Sequence, residues 1–250
     1  MRVALKFAYN GKFFYGYARQ PNLKTVEGTI IDLLVSHDFI QDAKESMFRS
    51  ASRTDKGVSS LGSVVAFNTD KPINNILQEL NIASKEVLFY GFKEVEPDFY
   101  PRYAKQRIYR YYLKNNGFDM EEIISATSLF TGMHNFSNFA RVEEGKNPER
   151  TIDNIVVGEN KQFFTIDFYA QTFLWHQIRR IISSIEKAST GKINKRQIVD
   201  ALNKPELEVD YGVAPPEPLI LKNIIYQFHF EPNDLYSQLK MFEDKIIKNI

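Results

Sequence analysis

Short segments with an apolar side chain at every second position constrain the fold of this chain more than any other feature. The first covers residues 3–9, and within residues 107–113 the same period places Arg107, Tyr109, Tyr111 and Leu113 on one side. Residues 63–67 and 87–95 are also rich in β-forming side chains. This spacing predicts β-strands, because successive side chains of a strand point to opposite faces of a sheet. The chain therefore has to form at least one sheet.

Apolar residues also recur at helical spacing between the predicted strands. Thr25 is expected to cap a helix that ends near Ser36, and further helices are predicted near residues 73–81, 121–130 and 174–185. The order of these elements predicts an α+β protein with mainly antiparallel strands.

The predicted elements divide into two successive halves of similar content. We expect an N-terminal half over residues 1–100 and a C-terminal half over residues 101–230. Residues 231–250 repeat apolar side chains at helical spacing, which predicts a terminal amphipathic helix whose default role is packing.

Composition excludes several classes of protein. With 250 residues, of which 43% are hydrophobic, the chain can bury a substantial core. It has no cysteine, which excludes disulfides, thiolate catalysis and cysteine-based metal sites. No apolar run approaches the ~20 residues of a membrane span, and the four histidines lack ligand spacing. We expect a cytoplasmic protein with no metal and no membrane partner.

The segment Ser50–Val58 places one carboxylate between two cations in a sequence typical of a turn. Arg53 and Lys56 flank Asp55 and favour its ionised form, and Gly57 allows a tight backbone. Because strands are predicted on both sides, Asp55 would lie on a loop held by a rigid sheet. Two interpretations stay open, since the same residues suit a solvated turn and a catalytic acid.

Between Arg102 and Lys114, five basic residues are interleaved with four tyrosines. This mixture suits nucleic acid, since cations meet phosphates and aromatic faces stack on unpaired bases. An ordinary edge strand with solvent-facing cations has the same composition. The formal charge of +1 does not decide between the two.

Three distant segments together resemble the tRNA pseudouridine synthase A family. They are Arg53–Val58, Arg107–Tyr111 and Phe173–Arg180. Further segments resemble other blocks of the family in the same order, namely residues 9–11, 14–20, 25–28, 134–139 and 216–221. The resemblance covers residues 3–226.

The resemblance implies the pseudouridine synthase fold, in which two ferredoxin-like halves form a mainly antiparallel sheet with a central cleft. It implies an isomerase that converts uridine to pseudouridine in tRNA, typically at positions 38, 39 and 40 of the anticodon stem and loop. It also implies that the protein works as a homodimer with tRNA as its partner, without a cofactor or a metal.

By the same resemblance, Asp55 corresponds to the catalytic aspartate and Arg179 to the basic residue that pairs with it. Tyr109 corresponds to the tyrosine that stacks on the uracil, and Arg53 to the arginine that helps to extract the base. Leu219 opens the block that forms the floor of the uracil pocket. An ionised carboxylate can act as a nucleophile on the nucleotide or as a base at C2′, and the sequence leaves both routes open.

Two residues beside Asp55 depart from the family pattern. Ser59 stands where the family usually has histidine, and Lys56 stands where a small residue is common. Trp175, within the third segment, stands four residues before Arg179 and could pack against its guanidinium, but packing in the core is the favoured expectation.

Two other functions remain open at the level of sequence. The first is a non-catalytic RNA-binding protein on the same scaffold. The second is a metal-independent hydrolase that uses Asp55, which is the weaker alternative because no second carboxylate or histidine is tied to Asp55 by spacing.

Overall fold

The computed structural model describes residues 1–160, 162–232, 236–248 and 250. They form two compact units. The N-terminal unit comprises Met1–Lys105 together with Ile220–Ile250, and the central unit comprises Gln106–Leu219. The division of the sequence at residues 100 and 230 stays a prediction about functional halves.

Both units combine helices with strands. In chain order, the strands are β1 (Arg2–Tyr9), β2 (Arg49–Ser50), β3 (Ser59–Asn68), β4 (Val87–Val95), β5 (Gln106–Lys114), β6 (Gly132–Asn135), β7 (Glu149–Ile152), β8 (Asn154–Glu159), β9 (Phe163–Ala170), β10 (Leu219–Ile225) and β11 (Glu231–Pro232). The helices are α1 (Val26–Ser36), α2 (Ile76–Ala83), α3 (Met120–Ser128), α4 (Gln177–Ser189), α5 (Lys195–Asn203) and α6 (Tyr236–Ile247). The α+β class and the mainly antiparallel pairing expected from the sequence are confirmed.

Strand β1 lies at the centre of the sheet of the N-terminal unit. It pairs antiparallel with β3, with Arg2 opposite Asn68, and with β4 on its other edge, with Tyr9 opposite Val87. Strand β11 extends the sheet beyond β4, and β2 and β10 pair with the far edge of β3. The β1–β3 register shifts between Phe7 and Tyr9, close to the end of β1.

Helices α1 and α2 cover one face of this sheet. Val3, Leu5 and Phe7 alternate along β1 and pack with apolar side chains of both helices, which include Ile30, Leu34, Ile76 and Leu80. Thr25 caps α1 as predicted, because its Oγ1 accepts a hydrogen bond from the Gly28 N–H at 3.2 Å. The apolar residues at every second position of β1 are therefore the ones that pack against the helices.

Lys6 lies on the opposite face of β1. Its Nζ donates a hydrogen bond to Asn223 Oδ1 at 2.6 Å and lies 5.2 Å from the centre of the Phe230 ring. Burial removes water from the ammonium group and lowers the pKa of Lys6 from 10.5 to about 8. Burial therefore makes the charged form of Lys6 less favourable in the folded protein than in the unfolded chain.

We expect the free energy of unfolding to rise between pH 8 and pH 10.5, because in this window the unfolded chain holds the Lys6 proton and the folded chain does not. Lys6→Met should remove this rise, which amounts to about 3 kcal/mol because a difference of one in pKa corresponds to about 1.4 kcal/mol. Urea unfolding at neutral pH and near pH 10 measures the rise. Lys12→Met makes the same change at an exposed lysine and should keep the wild-type rise in the free energy of unfolding with pH. If the Lys6→Met protein also kept this rise, the prediction would be wrong.

Strand β9 lies at the centre of the sheet of the central unit and pairs antiparallel with β5 and β8. Arg110 of β5 stands opposite Asp167 of β9, and its Nε and Nη2 each donate to one carboxylate oxygen at 2.6 Å. Such bidentate pairs are strong and fix geometry. Buried Ile123 of α3 and Ile181 of α4 contribute to the core of this unit.

Two predicted helices begin later than the apolar spacing indicated. Helix α4 begins at Gln177 rather than near residue 174, because His176 has a left-handed backbone with φ of 61° that cannot continue a right-handed helix. The helix predicted near residues 73–81 begins at Ile76. The predicted terminal helix falls partly on residues 233–235 and 249, which lie outside the described residues.

Candidate active site

Asp55 lies in a tight turn between β2 and β3. Its carbonyl oxygen accepts a hydrogen bond from the Val58 N–H at 3.2 Å, and Gly57 adopts a positive φ of 87°. The Asp55 residue is partly buried, whereas Arg53 and Lys56 are exposed on either side of it. The turn therefore presents one carboxylate between two cations, as the sequence indicated.

The end of β1 and the segment that follows it hold this turn in place. The Tyr9 hydroxyl lies 2.7 Å from Thr54 Oγ1, and the Tyr17 N–H donates to the Thr54 carbonyl at 3.2 Å. Both tyrosines are buried, with ring centres 6.1 Å apart. The residue that precedes Asp55 is thus anchored through its side chain and its backbone.

Gly11 brings the backbone of the same segment against the turn. A Cβ at this position would lie 2.4 Å from the Val58 carbonyl oxygen and 2.7 Å from the Gly57 carbonyl carbon, so only glycine fits. The Gly11 N–H donates to Ser59 Oγ at 3.0 Å, and Ser59 is buried. Ser59, at the position where the similar family usually has histidine, therefore helps to fix the turn.

Lys56, the other departure beside Asp55, lies at the surface. Its Nζ is 4.5 Å from the centre of the Tyr15 ring, and both residues are exposed. A cation over an exposed aromatic ring contributes about 0.5–1 kcal/mol. This contact gives Lys56 a partner within the segment that already anchors Thr54.

Arg53 lines a pocket of ≈ 390 Å³ within the N-terminal unit. Four more basic side chains line the same pocket, namely Arg19, Lys44, Arg49 and Arg102, together with the aromatic ring of Tyr100. Basic side chains from three separate parts of the chain therefore meet in one concave surface. Such a surface attracts anions.

Glu27 is the acidic residue that lines this pocket. Its Oε1 accepts a hydrogen bond from Ser50 Oγ at 3.0 Å, and its Oε2 accepts one from the Arg19 N–H at 3.2 Å. Tyr17 lies nearby, and burial, reinforced by the Glu27 charge, raises the pKa of the Tyr17 hydroxyl above its usual value. Glu27 thus ties α1 to β2 and to the segment before α1.

Tyr109 lies on β5, where Arg107, Tyr109, Tyr111 and Leu113 are buried as the sequence predicts, although Tyr112 is buried as well. The Tyr109 residue is 8% exposed, and its ring meets the Phe173 ring edge to face, with ring centres 5.3 Å apart. This contact links β5 to the irregular segment that precedes α4.

Arg179 lies in the first turn of α4 and is partly buried. Its Nε donates to the Ala214 carbonyl at 2.7 Å, and its own carbonyl accepts from the Ala214 N–H at 3.0 Å. Burial raises the pKa of Tyr111 above its usual value, and the positive charge of Arg179 opposes that rise. Leu219 is buried at the start of β10, where its N–H donates to the Pro216 carbonyl at 3.0 Å.

The expectation that Trp175 packs in the core is wrong. The residue is 44% exposed and belongs to the irregular segment before α4. The Arg141 guanidinium carbon lies 4.3 Å from the centre of its ring. The apolar spacing predicted a helix that included Trp175, but α4 begins only at Gln177.

The predicted site residues belong to both units. Arg53 and Asp55 share one turn of the N-terminal unit, whereas Tyr109, Arg179 and Leu219 belong to the central unit.

Two cations of the basic pocket, Lys44 and Arg49, were not predicted from the sequence. Both lie in segments of mixed charge, and their position beside Arg53 depends on how the chain folds.

Within the described part of the chain, every helix is too short or too polar to cross a membrane. Residues 1–160, 162–232, 236–248 and 250 also include no group of three or more histidine, aspartate or glutamate side chains placed to hold a metal ion.

Comparison with known proteins identifies the family. A family model described as tRNA pseudouridine synthase matches residues 126–227. A tRNA pseudouridine synthase A from Thermococcus sibiricus is 42% identical over 228 residues, which cover 91% of this chain and 85% of the relative. The chain belongs to the tRNA pseudouridine synthase A family. A second relative with this name, from Pyrococcus abyssi, is 41% identical and covers 98% of this chain and 92% of its own length.

Members of the tRNA pseudouridine synthase A family are isomerases that convert uridine to pseudouridine, and the mixed α and β architecture is that of the pseudouridine synthase fold. Among solved structures, the crystal structure of a Cbf5-Nop10-Gar1 complex is similar to this chain with 14% identity and a TM-score of 0.37. The match covers 72% of this chain and 45% of that chain.

Proposed function

We propose that this protein isomerises uridine to pseudouridine in tRNA, with Asp55 as the catalytic residue. The observation that supports this most is the anchored turn, which holds a partly buried carboxylate two residues from a side chain of the basic pocket. Such anchoring matters because a misplacement of about 1 Å can cost about 10²-fold in rate. Membership of the family supports the same reaction.

The proposed reaction breaks the glycosidic bond between C1′ and N1, turns the uracil, and joins C5 to C1′. Asp55 acts either as a nucleophile on the nucleotide or as a base that removes the C2′ proton to give a glycal-like intermediate. In both routes the C5 proton leaves at the end and N1 gains a proton. In the first route the bond to Asp55 breaks again, and in the second the proton returns to C2′. Substrate and product are isomers, so the reaction consumes no oxidant, reductant or group donor.

The other site residues take their proposed roles from the family resemblance. Tyr109 stacks on the detached uracil, since a base–aromatic contact of about 1–3 kcal/mol retains the base while it turns. Arg53 occupies the space left by the flipped nucleotide. Arg179 supplies positive charge that offsets the cost of burying a carboxylate, and Leu219 forms the floor of the uracil pocket.

The basic pocket supports tRNA as the substrate, because its five cations suit the phosphates of a folded RNA. We further propose that the target uridines are at positions 38, 39 and 40 of the anticodon stem and loop, and that the protein acts as a cytoplasmic homodimer. Primer extension after carbodiimide treatment locates the modified positions. Light scattering in solution measures the oligomeric state.

Release of tritium from tRNA transcripts labelled at uridine C5 tests the activity, because each isomerisation transfers the C5 proton to water. We expect tritium release that requires uridine at positions 38 to 40. No release from such transcripts would contradict the proposed activity. Tight tRNA binding without release would favour the alternative function, a non-catalytic RNA-binding protein.

Arg49→Ala should weaken tRNA binding and lower the slope of log Kd against log salt concentration by about 0.7–1, because one phosphate contact is lost from the basic pocket. Filter binding over a range of salt concentrations measures the slope. Arg196→Ala removes an exposed arginine of α5 and should leave the slope unchanged. Equal slopes for Arg49→Ala and wild type would show that Arg49 does not contact a phosphate.

A further inference from the structure

Trp175 and Arg141 form an exposed stacked pair in the central unit. The guanidinium carbon of Arg141 lies 4.3 Å from the centre of the indole ring, and Trp175 remains 44% exposed. The backbones of the two residues also pair, with the Arg141 N–H donating to the Trp175 carbonyl at 2.8 Å. Contacts of both backbone and side chain therefore hold the pair together.

The chain on either side of Trp175 is also fixed. His176 adopts a left-handed backbone with φ of 61°, and its ring centre lies 5.0 Å from that of the indole. The Leu174 N–H donates to Oε1 of the buried Gln177 at 2.8 Å. A histidine with positive φ is uncommon and persists only where its surroundings hold it. A ring presented by so constrained a segment loses little conformational entropy when a ligand binds.

We propose that an unpaired base of the RNA substrate stacks on the Trp175–Arg141 pair, beside the nucleotide that is modified. Aromatic rings and guanidinium planes are the groups on which unstacked RNA bases pack. Phe173, which contacts Tyr109, precedes Trp175 by two residues, so their Cα atoms are at most about 7 Å apart. The identity of the ligand as tRNA rests on the proposed function.

The segment that carries Arg141 does not favour a phosphate over a base as the ligand of the pair. Residues 141–150 contain three basic and three acidic side chains, so this segment has no net charge. A phosphate would gain little from such a surface. Stacking depends on neither net charge nor base identity, and the pair should therefore accept different bases.

Trp175 is the one tryptophan in the sequence, so the tryptophan fluorescence of the protein reports on this site alone. We would titrate Asp55→Asn protein, which should bind without turnover, with an unmodified tRNA transcript. Quenching that saturates at the same RNA concentration as filter binding is expected. Bound RNA with unchanged fluorescence would overturn the proposal.

Trp175→Leu should raise Kd for the transcript about 5- to 150-fold, whereas Trp175→Phe keeps an aromatic face and should bind nearly as well as wild type. Neither change should alter the salt slope, because stacking releases no counterions. The double variant Trp175→Phe, Ile82→Trp is the control for fluorescence, because it moves the single tryptophan to a residue of α2 that is 77% exposed. RNA binding should leave the tryptophan fluorescence of this variant unchanged. Wild-type affinity in Trp175→Leu would overturn the proposal.

The results distinguish failure of the stacking site from failure of the proposed activity. Tritium release without quenching of Trp175 refutes the stacking site alone, and quenching without tritium release refutes the activity alone. Quenching that grows with protein concentration in the absence of RNA would assign the pair to a contact between copies of this chain, which also overturns the proposal.

Discussion

Asp55→Asn should abolish tritium release from tRNA labelled at uridine C5, with a fall in kcat of at least about 10³-fold. Asparagine has nearly the same size as aspartate, but its amide neither attacks carbon nor accepts a proton at neutral pH. The anchors of Thr54 to Tyr9 and Tyr17 do not involve the Asp55 side chain, so the turn should keep its shape. Single-turnover rates at saturating protein separate lost chemistry from weakened binding.

Asp70→Asn is the matched control, since it makes the same chemical change at an exposed aspartate that follows β3. It should leave the rate of tritium release unchanged, and thermal unfolding should show that both variants are folded. Wild-type release by Asp55→Asn would mean that the carboxylate is only a structural part of the turn.

The Asp55 turn could be predicted from the sequence because its signals are local. Gly57, the strand predicted over residues 63–67 and the Thr25 cap of α1 are read from adjacent residues, although the strand itself begins earlier, at Ser59. The anchors of the turn could not be predicted in this way. Tyr9 and Gly11 reach it only because β1 pairs with β3, which sequence spacing does not show.

The basic pocket and the exposed tryptophan both required the tertiary structure. The cations of the pocket come from residues 19, 44–53 and 102. The formal net charge of the chain is only +1, because acidic residues elsewhere balance these cations, so the total charge does not indicate a basic surface. Apolar spacing over residues 174–185 continued the predicted helix through Trp175. The left-handed backbone of His176 prevents the helix from starting before Gln177. Helix propensities of neighbouring residues do not predict such a backbone conformation.

Gly11→Ala should lower stability and should lower activity much further. The added methyl group would meet the Val58 carbonyl oxygen at 2.4 Å and the Gly57 carbonyl carbon at 2.7 Å. These are backbone atoms, which cannot rotate away, so the Asp55 turn or the segment around Gly11 has to shift. We expect a loss of about 1–3 kcal/mol in the free energy of unfolding. The rate should fall by about 10²-fold, because a displacement of about 1 Å at a reacting group costs that much.

Gly28→Ala provides the control, because it is the same substitution inside α1. The nearest atom to its new methyl group is the Thr25 hydroxyl oxygen at 3.0 Å, and alanine is favoured over glycine within a helix by about 1 kcal/mol. Its rate should equal that of wild type. If Gly11→Ala also kept the wild-type rate, the position of Asp55 would depend on Tyr9 and Tyr17 alone. A lower rate at unchanged tRNA affinity would instead mean that backbone packing at Gly11 positions the carboxylate for the reaction.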